Sequence, residues 1–134
     1  MLLESKDAEL FFRLHRTLMF FVNQRLRVVP EPIATPEDFA GQTVEVRLKV
    51  RDAFLANVDL IESFASENPA RLSNDELDIV RSWRHFIRGK FYIFRELARH
   101  TVFLTTEEPA IAYGVLALTQ PFEEFVGPYL PVMV

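Results

Sequence analysis

The chain contains no cysteine. Disulfide frameworks and thiolate metal sites are thereby excluded, and the composition fits a reducing, cytoplasmic setting. Only four glycines occur. None belongs to a Gly-rich loop of the P-loop or dinucleotide type, so phosphate cradling by such a loop is excluded and no cofactor is implied. The histidines His15, His85 and His100 are far apart and form no H-x-x-x-H or H-E-x-x-H pair, so no metal site is predicted. There is no G-x-S-x-G nucleophile motif. The adjacent carboxylates Glu107-Glu108 and Glu123-Glu124 point apart on a strand or a helix, so adjacency does not bring them to one catalytic point. Long apolar runs are missing too. The longest near the N-terminus, residues 18–22, is far short of the roughly 20 residues a membrane span needs. Glu4, Asp7 and Glu9 occupy the stretch where a signal peptide carries positive charge. Neither a membrane association nor export is predicted.

What is abundant is apolar and aromatic surface: 49% of residues are hydrophobic, and phenylalanine alone occurs 13 times. With 134 residues, this predicts one folded domain able to bury roughly two thirds of its unfolded surface without staples. The net charge of −4 is unevenly placed. Residues 1–80 carry nine Lys/Arg against fourteen Asp/Glu, residues 81–106 six against one, and residues 107–134 none against four. A basic middle is hidden in an acidic chain, and that asymmetry concerns partners rather than fold.

Helical signals dominate the first two thirds. Ser5 reads as an N-cap with Asp7 and Glu9 in the first turn, and Leu10, Leu14, Leu18, Val22 and Leu26 recur every fourth residue until Pro30, predicting a helix over about 6–28. Phe12, Met19 and Phe20 lie off that stripe, so this helix needs covering on a second side. Arg13, Arg16, Arg25 and Arg27 fall mostly away from it. Thr35-Pro36 opens a short helical turn interrupted at Gly41. V-E-V-R-L-K-V at 44–50 alternates like a strand, but Val46, Val50, Phe54, Val58 and Ile61 keep helical spacing. A helix over about 44–66 follows, with Asn57 the point for a break and Asn68-Pro69 the stop. Ser73 and Glu76 form a capping box, and Leu77, Val80, Trp83 and Ile87 lead to Gly89, predicting a third helix over 74–88 with Trp83 as a core anchor against the sheet. Arg81, Arg84 and Arg88 share a face of it.

After Gly89 the pattern becomes strand-like: 90–96, 101–106 and 110–118, joined at 97–99 and 107–109. One helical turn is predicted over 121–126, then an apolar strand-like tail at 129–134. Such a tail is either tucked into the sheet or continued in a longer protein. The fold class is α+β: an N-terminal helical half with three main helices, residues 1–89, followed by a small antiparallel β-meander, residues 90–134, within a single domain 1–134.

One segment carries a functional signal. Arg81, Arg84, His85, Arg88, Lys90, Arg95, Arg99 and His100 interleave with Trp83, Phe86, Phe91, Tyr92 and Phe94, combining cations for phosphates with rings for bases. Arg84, Arg88, Lys90, Arg95 and Arg99 are the candidate nucleic-acid or anion contacts. R-G-K-F-Y-I-F at 88–94 approaches the RNP1 pattern but lacks an aromatic directly after the glycine, and helices before strands is not the order of an RRM. The competing reading makes the rings core and pairs the arginines with the acidic first 80 residues.

R-D-A-F at 51–54, E-N-P at 67–69, S-W at 82–83, F-Y-I-F-R at 91–95, T-V-F-L at 101–104 and A-Y-G-V at 112–115 together resemble a family of bacterial proteins with no assigned activity. The resemblance spans about 45–120 and implies no catalytic residues, although it implies members that run beyond residue 134. The function expected is a binding or assembly module rather than an enzyme. Nucleic-acid association through 81–100 is the alternative, and a hydrolase would require His85 or His100 within reach of a carboxylate. A homodimer is expected, burying the first helix or the tail, with Glu123 and Glu124 at its rim.

Overall fold

A computed structural model of the chain describes residues 2–122, 124 and 130–134. They divide into two compact units: Leu10–Phe86, and Ile87–Val134 with the N-terminal residues up to Glu9. Five α-helices precede a four-stranded antiparallel sheet among the described residues, so the α+β class with a helical N-terminal half is observed. No described helix is long and apolar enough to cross a membrane.

Helix α1 spans Ser5–Leu26. Arg27 then adopts a left-handed conformation (φ 51°). Asn23 fixes the chain beyond the stop, its buried side chain accepting the Val29 N–H at 3.3 Å, so a backbone donor just past the helix is satisfied inside the fold. Helix α2, Pro36–Ala40, has Thr35 as N-cap, whose hydroxyl accepts the Asp38 N–H at 3.1 Å. Helix α3 covers Val44–Leu55 and α4 covers Leu60–Glu67. The helix expected over 44–66 is thus two helices, separated at the Asn57 break that the sequence offered. At the break the Asn57 side chain donates to the Ala53 carbonyl at 2.9 Å, a local bond that competes with helix continuation. Asn68, at φ 43°, caps α4 and holds the Leu72 backbone with both side-chain amide atoms.

Helix α5 is Asn74–Ser82, entered through the predicted capping box: Ser73 Oγ accepts the Glu76 N–H and Glu76 accepts the Ser73 N–H. It is shorter than the 74–88 expectation. The Ser82 hydroxyl donates back to the Ile79 carbonyl at 2.5 Å, and the chain tightens into a 3-10 turn, Trp83–His85. Gly89 is therefore not the helix stop, Ile87 is exposed, and Arg88 leaves the face it was expected to share with Arg81 and Arg84.

The core of this helical unit is one cluster built on Leu14, Leu18, Met19, Phe21 and Val22 of α1, with Val46, Val50 and Phe54 of α3, Ile61 and Phe64 of α4, and Leu77 and Val80 of α5. Met19, off the predicted stripe, is buried here, so α1 finds much of its second covering surface within its own unit. Trp83 is half-buried at the rim, its ring 5.2 Å from Phe11 and 6.2 Å from His15 of α1.

The other unit holds β1 (Phe91–Glu96), β2 (Thr101–Thr105), β3 (Ala112–Val115) and β4 (Val132–Met133), ordered β3-β2-β1-β4. The meander is as read from the sequence. The tail is tucked in: Phe91 and Val134 exchange backbone hydrogen bonds of 3.0 and 2.7 Å beside β4. On the inner face Ile93 and Thr101 are buried, and Phe91 packs near Phe103 and Tyr113 at about 6 Å. Of the turn expected over 121–126, Phe122 and Glu124 are helical, while Glu123, Phe125 and Val126 lie outside the described residues.

Candidate functional site

The five basic candidates divide between the units. Arg84 is paired: its guanidinium lies 3.1 Å from Glu62 and 3.9 Å from Asp59. Arg81 likewise meets Asp78 at 3.5 Å and Glu62 at 3.9 Å. These two follow the reading in which the basic segment is neutralised by the acidic first 80 residues. Arg88, Lys90, Arg95 and Arg99 do not. All four are exposed and have no ion pair among the described residues.

Their arrangement follows from the strand. Alternation would place Arg95 on the face of Ile93, since residues i and i+2 share a side. The β1–β2 register, however, shifts between Ile93 and Arg95: Ile93 opposes Phe103, Arg95 opposes Val102, and Phe94 is the extra residue. Such a bulge sets two residues against one partner and returns the next side chain to the face of the residue before it. Exposure confirms it, with Tyr92 and Phe94 near 40% and Ile93 at 3%. Tyr92, Phe94 and Arg95 consequently lie on the outward face. Arg88 and Lys90 precede β1, and Arg99 lies in the β1–β2 hairpin, where the Leu97 N–H donates to the His100 carbonyl at 2.9 Å. Cations therefore flank an exposed aromatic strand about 20 Å long.

His100 shares this face, its ring packed on Gly114 of β3: a Cβ there would fall 2.8 Å from Cδ2. His85 is exposed in its 3-10 turn. Neither histidine is hydrogen-bonded to a carboxylate among the described residues, and no group of three or more His, Asp or Glu in that set is placed to hold a metal ion.

A second concavity, in the helical unit, was not legible in the sequence. α1, α2 and α3 border an open cavity of about 410 Å³ with Phe11, Phe12, Phe39 and Leu48 in its walls. Arg16 of α1 and Arg47 and Arg51 of α3 also line it, with His15 beside them. Burial pushes the His15 imidazole below its ordinary value. The spacing of Arg47 and Arg51 put them on one helical face, but only packing brings Arg16 to meet them.

Compared with protein-family models, with curated proteins and with solved structures, the chain matches none. The resemblance drawn from its short motifs rests on those motifs alone.

Proposed function

We propose that the protein is a binding module whose outer sheet face takes single-stranded nucleic acid. The observation that carries this reading is the bulge at Phe94, which sets Phe94 and Arg95 together on the exposed side beside Tyr92. Rings offer stacking surfaces to unpaired bases, while Arg88, Lys90, Arg95 and Arg99 meet the phosphates. Recognition of this kind is tolerant of sequence, because every base has a π-face.

The magnitude is set by charge. For single strands the logarithm of affinity falls with the logarithm of salt by about 0.7 per neutralised phosphate. Four engaged cations give a slope near −3, or about a 50-fold loss between 50 and 200 mM salt. Fluorescence anisotropy of labelled single-stranded RNA and DNA over that range tests the proposal. Absence of binding at about 50 mM, where phosphate contacts are strongest, overturns it.

Self-association is a separate proposal. The tail and much of α1 are covered within the chain, but Met133 and Val134 stay exposed at the outer edge of β4. An open edge of that kind is a template for a second copy. Sedimentation at micromolar concentration distinguishes a dimer from a monomer.

A further inference from the structure

The geometry points to a second binding site, the arginine-lined cavity between α1, α2 and α3, and we propose that it takes a small amphipathic anion: a carboxylate carried on an aromatic or short acyl body. It is independent of the nucleic-acid reading, because every residue lining it belongs to the helical unit.

Three observations converge. The first is charge. Three arginines line the cavity, and among the described residues no Asp or Glu lines it. Arg51 has Asp52 at 2.9 Å, outside the lining, while Arg16 and Arg47 have no acidic partner among the described residues. Arginines gathered without acids repel one another, and an anion relieves that repulsion.

The second is an orphaned donor. Arg16 Nε is buried and has no hydrogen-bond partner among the described residues. A buried polar atom left unpaired costs free energy, and a charged one costs more. The fork of a guanidinium matches a planar carboxylate in two parallel bonds, which a lysine could not supply.

The third is the apolar wall. Phe12, Val44 and Leu48 are 40% or more exposed although they are large and hydrophobic. Phe39 of the same cavity is buried, so the apolar surface runs from the rim into the fold. A volume of about 410 Å³ falls in the range of small-molecule sites, which pair mostly apolar walls with a few placed polar groups. A bare inorganic anion would use the arginines and leave the rings wet. A neutral hydrophobe would use the rings and leave Arg16 unpaired. An amphipathic anion satisfies both.

The test uses 2-naphthoate, its neutral counterpart 2-naphthamide, and inorganic phosphate, each titrated into the intact protein by calorimetry or by NMR shift mapping. Naphthoate is expected to bind with shifts at Phe12, Arg16, Arg47 and Leu48, at least about tenfold more tightly than naphthamide, since a hydrogen bond to a charged group is worth about that factor. Phosphate is expected to be the weaker anion. Arg47→Met, at the exposed rim, should weaken naphthoate about tenfold with an unchanged circular dichroism spectrum. Arg16→Met should do the same if it folds. Equal binding of naphthoate and naphthamide, an unaffected Arg47→Met, tighter binding of phosphate, or shifts confined to other residues would each overturn the proposal.

Discussion

The imidazole of His100 lies against the bare Cα of Gly114, leaving no room for a side chain between them. A Cβ at Gly114 would stand 2.8 Å from Cδ2 and 3.1 Å from Cγ of that ring. Because Cγ lies near the backbone, a rotation of the ring cannot clear it, and the whole side chain must swing away. Overpacking of this sort costs about 1–3 kcal/mol, and the half-exposed ring places Gly114→Ala at the low end. Adding His100→Ala should recover much of that loss, because the clash then has no second partner. A double-mutant cycle in urea checks it, and purely additive effects would show that the two residues do not interact.

The outer sheet face allows stacking and charge to be separated. Arg95→Ala should lower nucleic-acid affinity and reduce the salt slope by about 0.7, the share of one phosphate. Tyr92→Ala and Phe94→Ala should each cost about 1–3 kcal/mol of binding while leaving the slope unchanged. Anisotropy titrations at three salt concentrations read both quantities. A slope altered by Phe94→Ala, or unaltered by Arg95→Ala, would contradict the assignment of ring to base and guanidinium to phosphate.

Two aromatic truncations rank the helical core. Phe64 is fully buried and meets Phe21 edge-on at 5.4 Å. Phe64→Ala should cost about 3–5 kcal/mol. Trp83 packs only at the rim, so Trp83→Ala should cost about 2 kcal/mol, less than the larger ring would lose at the centre. Urea midpoints decide the order, and equal losses would place Trp83 in the core after all.

Acid sensitivity should appear first through His15. Its ring stacks on Phe11 at 5.5 Å and burial disfavours the charged imidazolium, so the neutral form is the one the fold accommodates. The folded value lies below the unfolded one of about 6.5, which means that the unfolded chain takes up the proton more readily. Stability is therefore complete above about pH 6.5 and falls as the pH drops towards the folded value. Glu76 acts at lower pH. The Ser73 backbone N–H, and after it Arg13, hold its carboxyl below the ordinary range, so its contribution is lost only below about pH 4.5. Urea midpoints at pH 8, 6 and 5 should fall for the parent chain and stay flatter for His15→Leu. A parent chain equally stable at pH 8 and 5 would remove this role for His15.

Much of the architecture could be read along the chain. The starts of α2 and α5 follow from Thr35 and Ser73, whose hydroxyls accept backbone N–H groups three residues on. The strands of the meander were legible because aromatic and β-branched residues recur between turn residues there. Where the reading overran, at 74–88, and where it offered a break, at Asn57, a side chain ends the helix through a bond to a nearby carbonyl, Ser82 to Ile79 and Asn57 to Ala53. Those residues carry such bonds in some contexts and not in others, so their presence alone does not mark a stop. Of the five basic candidates, Arg88, Lys90, Arg95 and Arg99 are exposed, whereas Arg84 pairs with Glu62 and Asp59.

The sequence alone determined the class of each half, the caps and the uneven charge, because these depend on composition or on residues within a turn of one another. It could not say which cations are neutralised. Arg84 meets Glu62 and Asp59 only once α4 and the turn after α5 are brought together, whereas Arg95 faces outward because β1 pairs with β2 in a shifted register. The cavity has the same origin. Arg16 lies on a helix with its own apolar stripe, and it meets Arg47 and Arg51 only through the packing of α1 against α3. A bulge, an ion pair between helices and a cavity lined by arginines of two helices each depend on distances between segments remote in the chain, and those distances are set by which apolar faces bury one another.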